Sequence, residues 1–525
     1  MVNTVTPVLS QVVNGSEVND LPLPTRNAAS LVLLVPGTTN ANSHGSEQGT
    51  TKQLPDTTSI SVNGTRTDQI AFNLDGADNQ DLLSNTNDPF PFPDAVQEFS
   101  VQTNDFSAQY GENAGAVVNV VSKSGTNQWH GDAFEYLRND VFNARNSFEQ
   151  KTDPLKQNQF GGTIGGPIKK NKSFIFFGYQ RTTISDTLGG QSAVVPTPAN
   201  LNGDFSNYLT TGPTNPLGSA VQLTDPVTGA PIPGNLLTAD PNTPVNTVAV
   251  NLSKYLPVSS ESPNGTVFFT PLEGQRLDEF DIRFDQTVRG QDHLTGRAYI
   301  DRFTSLPSYD GTDVLTLQNN YSGDGSTVQS QNYMISYAWA KSATFVNTTY
   351  LSYLRTASDR SEGGNVPQLG TLGANVPQLP KSEGGLRTLS VPGYFGVGLF
   401  TNGAFYRNSA DIRDDANWVH GNHTITFGGD WEHDQSIVRN TNLENGSLAF
   451  DASDYTDNAL ANFITGNLYS YAQDSGNWSD QHQNAQGIFI QDAWHASRRL
   501  TLDGGLRWEP QVPIQEVDGR VQQFF

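Results

Sequence analysis

The sequence contains no cysteine, only 2 methionines and no long apolar run. Without cysteine, the chain can form no disulfide bridge, thiolate zinc site or cysteine nucleophile. A membrane helix needs roughly 18 consecutive apolar residues, whereas the longest run here extends only from Leu31 to Val35. Residues 1–20 also lack the basic start and apolar core of a signal peptide.

Basic residues are scarce as well. Lysine and arginine number 30 against 53 aspartate and glutamate residues, which gives a net charge of -23. This balance argues against a nucleic-acid partner, because phosphate binding needs clustered basic side chains. It does not indicate disorder either, since 17 Tyr, 28 Phe and 7 Trp are available to build folded structure. The composition favours a folded, β-rich protein.

Residues 21–127 are typical of a mixed α/β unit. Leu21 to Gly37 predicts a short helix that ends at Pro36-Gly37. Ser59 to Arg66 and Ile70 to Gly76 alternate like short strands and carry Asn-Gly or Asp-Gly turns. Pro93 to Gln102 predicts a helical turn entering a strand. Tyr110 to Asn127 predicts a turn of small residues, a β-branched strand and a glycine turn.

After Trp129 the pattern changes to long strands with two different faces. In Leu500 to Glu509, one face carries Leu500, Leu502, Gly504, Leu506 and Trp508, and the other face is polar. His423 to Glu432 repeats this design. Alternation over about ten residues matches a membrane-spanning β-strand, whereas strands of soluble proteins average about five or six residues.

Short and long connections also alternate along this part of the chain. Strand pairs around short turns are expected at 278–289/293–303, 329–341/344–357, 409–420/423–433 and 484–495/499–509, with earlier strands at 129–138, 157–168 and 173–184. Long polar excursions occupy about 186–276, 304–328, 357–405 and 434–480, and Tyr455 to Thr465 predicts a short helix. About 11–13 strands with short turns on one rim and long loops on the other are typical of an outer-membrane barrel.

Several ordered motifs resemble the Oar-like group of TonB-dependent outer-membrane receptors. Tyr110 to Asn127 resembles the end of the plug domain in these receptors. Phe160-Gly-Gly-Thr-Ile-Gly-Gly-Pro-Ile168 followed by Ser173 to Tyr179 resembles early barrel strands, and Ile488 to Trp494 resembles a mid-barrel hairpin. Further matches are Leu21 to Gly37, Phe72 to Asn79, Pro93 to Thr103, Asn202 to Ser206, Asp225 to Gly229 and Arg499 to Leu502.

The resemblance implies a mainly β fold, a transmembrane antiparallel barrel of 22 strands occluded by an N-terminal α/β plug. It implies a plug at 1–127 and a partial barrel with long extracellular loops at 128–525. The expected function is import across the outer membrane, with membrane lipid, the inner-membrane TonB complex and an imported ligand as partners. Siderophore, oligosaccharide and peptide remain open as ligands. The chain lacks a recognisable TonB box and N-terminal carboxypeptidase-regulatory-like domain, so we expect a fragment.

Possible metal sites are weak. His420 and His423 flank a Gly-Asn turn, and interfacial histidines of a hairpin are favoured over metal ligands. Asp75, Asp78 and Asp81 lack the terminal glutamate of a calcium loop, so a solvated turn is favoured. Asp310 and Asp313, in a long loop, offer a similarly weak calcium site. We therefore assign no metal ligand and no cofactor.

Enzyme chemistry has no anchor in the sequence either. There is no Gly-x-Ser-x-Gly elbow, phosphate loop or zinc-protease helix, so no catalytic residue is assigned and an enzyme is not expected. The neighbouring carboxylates Asp414/Asp415 and Glu432/Asp434 are expected to line a polar lumen rather than to hydrolyse glycosides. Four tryptophans are expected in interfacial girdles rather than in sugar stacking: Trp418, Trp431, Trp494 and Trp508. Phe524-Phe525 is interpreted as an accidental stop rather than a closing strand.

Two other functions remain open at this stage. An outer-membrane adhesin or structural β-protein would use its long loops for binding and would not house residues 21–127 inside a barrel. A secreted β-sandwich enzyme or lectin would be soluble, and it would bury the face that carries Leu502, Leu506 and Trp508. The orientation of that face therefore separates the last hypothesis from the other two.

Overall fold

The computed structural model contains one large and one small β-sheet, together with three minor sheets. The structure describes residues 9–20, 26–40, 60–82, 85–142, 144, 155–187, 191–256, 263–269, 272–305, 326–360, 367–377, 385–386, 388–398, 403–441, 443–510 and 512–519. Within these ranges, no helix has both the length and the apolar character needed to cross a membrane.

The chain forms 25 β-strands, four short α-helices and several 3₁₀ helices in the described residues. The strands are β1 (Leu9–Asn14), β2 (Thr38–Asn40), β3 (Ile60–Val62), β4 (Ile70–Leu74), β5 (Ala77–Asp78), β6 (Val96–Asn104), β7 (Ala116–Ser122), β8 (His130–Asn139), β9 (Lys156–Lys169), β10 (Ser173–Thr187), β11 (Gln191–Val194), β12 (Thr266–Phe269), β13 (Leu272–Thr287), β14 (His293–Ser305), β15 (Ser326–Ser342), β16 (Phe345–Arg360), β17 (Thr388–Val391), β18 (Phe395–Gly398), β19 (Gly403–His420), β20 (His423–Asn440), β21 (Ser447–Ala449), β22 (Ser470–Ala472), β23 (Asn477–Ser497), β24 (Leu500–Trp508) and β25 (Gln515–Glu516). The α-helices are α1 (Gly15–Asp20), α2 (Pro198–Leu201), α3 (Thr247–Ser253) and α4 (Ala459–Thr465). Short 3₁₀ helices span Ala28–Leu34, Pro93–Ala95, Asp140–Phe142, Ser206–Leu209, Pro233–Asn235, Leu237–Ala239 and Leu369–Leu372.

The small sheet has the order β1-β6-β7-β4-β5, with β4 parallel to β7. Its β-branched strands bury one hydrophobic core, together with the 3₁₀ helix Ala28–Leu34. That helix lies within the predicted Leu21 to Gly37 helix, and Asn27 caps it by accepting from the Ala29 amide. Asp75 and Gly76 connect β4 to β5 with positive φ at both residues, the conformation of a two-residue hairpin turn.

The large sheet contains 12 strands, in the order β24-β23-β20-β19-β16-β15-β14-β13-β10-β9-β8 with β25 beside β23. All its pairs are antiparallel, and every strand pair predicted from the sequence is confirmed. In the described residues the two end strands, β8 and β24, are not paired with each other, so the sheet is open there. Short turns lie on one rim, and long connections lie on the other.

The two faces of the large sheet differ in chemistry. The outer face exposes apolar side chains, among them Leu502, Leu506 and Trp508 at 48%, 78% and 63%. This exposure contradicts the stacked-sandwich hypothesis, which requires those side chains in a core. The inner face buries polar side chains instead, including those of Gln157, Gln180, Glu279, Asp281, Arg297, Asp301 and Asn332. The small sheet packs against this inner face.

The long connections fold together into a loop cap, which we define as the packed parts of residues 193–256, 367–397 and 448–471. The cap has its own hydrophobic core, with Phe205, Leu237, Leu389 and Phe463 fully or almost fully buried. Its strands form the sheet β18-β17-β21-β22. The sequence predicted polar excursions here, and this part of the prediction is wrong.

The predicted helix at 455–465 begins at Ala459 rather than at Tyr455. Asn458 has extended backbone angles, and its side chain accepts hydrogen bonds from the amides of Leu460 and Ala461. Asn458 is therefore the N-cap, and the four residues before Ala459 lie outside the helix. All seven residues of α4 are buried in the cap.

Candidate functional site

A charged contact between the two sheets surrounds Asp75, at the tip of the β4–β5 turn. Its carboxylate accepts hydrogen bonds from the amide and the hydroxyl of Ser122, at 2.9 and 2.7 Å. Arg283 of the large sheet donates from Nη1 at 3.0 Å, and the Arg297 Nε lies 3.0 Å from the other oxygen. We call Asp75, Ser122, Arg283 and Arg297, together with the buried Asp281 beside them, the Asp75 cluster.

The charges of the Asp75 cluster are shielded from solvent. The side-chain exposure is 4% for Asp75, 16% for Arg283 and 0% for Arg297. Charges in such a place lose their hydration, and they depend on their partners for compensation. Removing one partner leaves an uncompensated buried charge, which typically costs about 3–5 kcal/mol. The Asp75 cluster therefore fixes the position of the turn against the inner face of the large sheet, and we call this sheet the wall.

A second charged contact joins Asp81 to Arg407, whose Nε lies 2.5 Å from the carboxylate. Both side chains are buried, with exposures of 0% and 3%. Neutral contacts accompany it, since Asn332 donates to the Asn79 side chain at 2.9 Å and Thr356 donates to Asp88 at 2.9 Å. Contacts between the sheets therefore occur at several of the described positions between Asp75 and Asp88.

Close steric contact, in addition to the ion pairs, fixes the position of this turn. Gly76 has a φ of +85°, and a Cβ atom added there would lie 2.8 Å from the Tyr350 ring. Only glycine combines this backbone conformation with such a close approach. The Tyr350 ring is itself covered by the Arg413 guanidinium, 4.8 Å from its centroid.

Cavities lie on both sides of the Asp75 cluster. Towards the long-loop rim, a cavity of about 80 Å³ lies between the small sheet and the wall, and we call it the seam cavity. Its lining includes Phe90, Phe92, Gln157, Gln180, Leu277 and Glu279. Towards the short-turn rim, a cavity of about 470 Å³ is lined by Asp75, Tyr110, Arg283, Tyr350 and Arg413. The Asp75 cluster therefore separates two spaces that open towards opposite rims.

A third cavity, of about 470 Å³, is lined by carboxylates of both sheets. Asp78 and Glu112 come from the N-terminal part, and Glu432 and Asp434 come from β20. Burial raises the pKa of Asp78 well above its ordinary value, and the nearby Asp411 and Asp434 raise it further. The expectation that Glu432 and Asp434 face the interior agrees with this arrangement.

Two expectations from the sequence are changed by the geometry. Asp75, Asp78 and Asp81 do not share a solvated turn, because Asp75 and Asp81 are buried in separate ion pairs. Asp414 does not line the interior, because neighbouring residues of a strand face opposite sides. Asp415 points inward and pairs with Arg413, whereas Asp414 is exposed on the outer face beside Asn347 and Thr349.

The histidine and tryptophan expectations fit the outer face. His420 and His423 form the last pair of their hairpin, and His423 bonds to Asp492 at 2.7 Å. In the described residues, no three His, Cys, Asp or Glu side chains are grouped for a metal ion. The absence of a metal stays a prediction. The four tryptophans expected in girdles are exposed at 39–63%. Asp310, Asp313, Phe524 and Phe525 lie outside the described residues.

The arginines of the wall are the functional residues that sequence reasoning missed. Arg283, Arg297 and Arg407 occupy inward positions of β13, β14 and β19, in phase with other polar residues. Alternation could have marked them as interior cations. Their acidic partners in the N-terminal part of the chain, Asp75 and Asp81, lie more than 200 residues away, so nothing in the sequence pattern identifies those partners.

The chain was compared with known families, proteins and structures. Residues 121–525 match the family described as outer membrane beta barrel domain. The TonB-dependent transporter Oar of Myxococcus xanthus is 29% identical over 163 residues, which cover 30% of this chain and 14% of Oar. By their names, this and the solved relatives below are transporters and receptors.

Three solved structures illustrate the similarity of fold. A mutant of the ferric enterobactin receptor PfeA from Pseudomonas aeruginosa is 13% identical, with a TM-score of 0.51, over 95% of this chain and 57% of PfeA. The siderophore receptor PirA from Acinetobacter baumannii is 14% identical, with a TM-score of 0.52, over 95% of this chain and 56% of PirA. The outer membrane transporter YddB from Escherichia coli is 10% identical, with a TM-score of 0.53, over 95% and 56%.

The chain therefore spans 14% of the length of the curated relative and 56–57% of these solved receptors. At these identities the structures show a shared fold alone. The family match covers most of the chain and includes every strand of the large sheet. The chain belongs to the outer membrane beta-barrel domain family and is a protein of the outer membrane.

Proposed function

We propose that this chain is part of a TonB-dependent transporter that imports a ligand across the outer membrane. In this proposal, residues 1–127 are the plug, and residues 128–525 are the partial barrel, with the loop cap outside the cell. The similarity to the TonB-dependent transporter Oar supports the proposal. The inner-membrane TonB complex would supply the energy, and a siderophore, an oligosaccharide or a peptide would be the imported ligand.

The observation that carries the proposal is the buried contact between the small sheet and the wall. A structural barrel would gain nothing from charged groups enclosed in its interior, since buried ion pairs are weak contributors to stability. A transporter needs a blocking element that is held in one position and can be released by force. The Asp75 cluster and the Asp81–Arg407 pair meet this need, because cavities lie on either side of the turn that they hold.

The test joins the small sheet to the wall covalently. Ser107 and Gln491 are hydrogen bonded at 2.8 Å, and the chain has no cysteine, so Ser107→Cys with Gln491→Cys adds a single thiol pair. Cells that express the full-length protein are grown in complex medium, and depletion of medium components is followed by mass spectrometry. We expect at least one component to be depleted by wild-type cells but not by cells with the oxidised pair.

Two controls complete this experiment. Reduction of the thiol pair should restore the depletion, and loss of TonB should abolish it in wild-type cells. If every component is depleted equally with the oxidised pair and without TonB, the import proposal is wrong. That result would favour the adhesin or structural function, which needs no movement of residues 1–127.

A further inference from the structure

The seam cavity has a lining that suits a particular kind of ligand. It combines side-chain amides with aromatic rings, in a space between the small sheet and strands β9, β10, β13 and β14. The amides come from Asn27, Gln157, Gln159, Gln180 and Gln275, and the rings from Phe90, Phe92 and Phe303. Amide groups both donate and accept hydrogen bonds, so they match hydroxyl groups, which do the same.

The charged groups of the lining are already engaged. The Arg26 guanidinium is ion-paired with Asp94 and lies 4.0 Å from the centroid of the Tyr136 ring. Arg276 donates to Asp278 at 2.8 Å. The Glu279 carboxylate accepts from Gln180 at 2.6 Å and from Tyr299 at 3.3 Å. A charged ligand would have to compete with these contacts, so the lining favours a neutral ligand.

Three glutamines of the lining retain hydrogen-bonding capacity, namely Gln157, Gln180 and Gln275. Gln157 and Gln275 make no side-chain hydrogen bond within the described residues, and Gln157 is only 7% exposed. The buried Oε1 atom of Gln180 has no hydrogen-bond partner in the described residues, which costs free energy, and a ligand that bonds to it removes this cost. These glutamines therefore supply polar groups in the same lining as the buried rings of Phe90, Phe92 and Phe303.

The size and position of the cavity also suit a small neutral ligand. A water molecule needs roughly 10–15 Å³ of such volume, so about 80 Å³ accommodates a small ring in place of several waters. Gln275 lies near the start of β13, at the long-loop rim, so the cavity is reached from that side. A sugar ring carries hydroxyl groups around an apolar CH face, which complements a lining that contains both amides and phenyl rings.

We propose that the seam cavity binds a neutral, hydroxyl-bearing ring of monosaccharide size, with Gln157 and Gln275 as hydrogen-bonding residues. This site is defined by the cavity lining, and its occupation does not depend on import. Binding to the purified protein can therefore succeed or fail independently of the transport proposal.

The test is calorimetry and saturation-transfer NMR on the full-length protein, in a detergent without a sugar headgroup. Glucose, galactose, mannose and N-acetylglucosamine are the probes. We expect at least one of them to bind wild-type protein, and we expect Gln157→Leu and Gln275→Leu each to raise its Kd at least tenfold. Gln331→Leu, on the outer face of β15, is the matched control and should leave the Kd unchanged.

The proposal is overturned if none of the four sugars binds at millimolar concentration. It is also overturned if both glutamine variants bind a sugar as tightly as wild type, because binding would then lie elsewhere. Because Gln275 lies at the entrance and is only half-buried, its variant stays informative if Gln157→Leu fails to fold. Tighter binding of glucuronate than of every neutral sugar would contradict the inferred neutral ligand.

Discussion

Arg297 has no exposed side-chain surface, and its guanidinium lies 3.0 Å from the carboxylate of Asp75. One residue belongs to a strand of the wall, and the other lies at the tip of a turn in the small sheet. Neither charge has solvent to stabilise it, so each depends on the other. This relationship makes the position of the small sheet sensitive to single substitutions.

We predict that Asp75→Asn destabilises the contact between the small sheet and the wall by about 3–5 kcal/mol, because Arg297 loses its compensating charge. The measurements are urea unfolding of the purified protein and vancomycin sensitivity of cells, since a displaced small sheet would open a path for large solutes. Arg276→Leu is the control, because that arginine is 54% exposed and exposed pairs contribute about 0–1 kcal/mol. Equal effects of the two substitutions would contradict the prediction.

Gly76→Ala should destabilise the protein more than Gly64→Ala. Both glycines have positive φ, +85° and +81°, so the backbone cost of about 1 kcal/mol is common to both. An added Cβ at Gly64 meets nothing within 4 Å, whereas at Gly76 it would lie 2.8 Å from the Tyr350 ring. We expect an additional cost of about 1–3 kcal/mol at Gly76, measured by urea unfolding. The same cost at both positions would show that the Tyr350 contact is not formed.

We predict that Phe463→Ala loosens all three segments of the loop cap together. Phe463 is 1% exposed and packs edge-on against Phe395 and Phe450, which come from different segments. Loss of a buried phenyl ring costs about 3–5 kcal/mol. Limited proteolysis with mass spectrometry should then show new cuts in residues 193–256, 367–397 and 448–471. Tyr469→Ala, at a position 59% exposed, is the control. Cuts confined to 448–471 would show that the segments fold independently.

The loop around Asp225 should lose stability in strong acid. The Thr228 hydroxyl, backbone amides of residues 227 and 228, and Asn242 donate to the carboxylate and lower the pKa of Asp225 to about 2. The ionised form is favoured in the folded loop, so its stabilisation is complete above the ordinary pKa of about 3.9 and is lost as pH falls through about 2.

Pepsin digestion between pH 5 and pH 2 measures this effect. Wild-type protein should become more sensitive near residues 225–242 as the pH falls, because protonation removes the preferred acceptor. Asp225→Asn should be more sensitive at pH 5 and should change less with pH. Asp474→Asn in another loop controls for the change in net charge. An unchanged digestion profile for Asp225→Asn would contradict the assignment.

The sequence predicted the large sheet well, because alternation of side chains has a fixed period of two. Leu502 and Trp508 were assigned to the outer face by this rule, and both are exposed there. The same rule explains why the prediction for Asp414 and Asp415 was wrong. These two residues are neighbours in a strand, so they must face opposite sides of the sheet and cannot both line the interior. The contacts between the sheets could not be predicted, because the partners Asp75 and Arg283 are separated by 208 residues.

The loop cap was missed for a different physical reason. Its core residues are spread over three segments, and within each segment they are irregularly spaced and follow neither the helix nor the strand period. The core exists only where these segments meet, for example where Phe395 contacts Phe463. The spacing of apolar residues within one segment therefore does not predict packing between segments.

Thiol cross-linking in native outer membranes tests the location of the small sheet most directly. The Asn79 and Asn332 side chains are hydrogen bonded at 2.9 Å, so Asn79→Cys with Asn332→Cys should form a cross-link upon mild oxidation. Asn79→Cys with Asn347→Cys, on the outer face, should form none. A cross-link in the first protein alone is the predicted result. Its absence in the first protein, or equal cross-linking in both, would show that the small sheet does not lie against the inner face of the barrel.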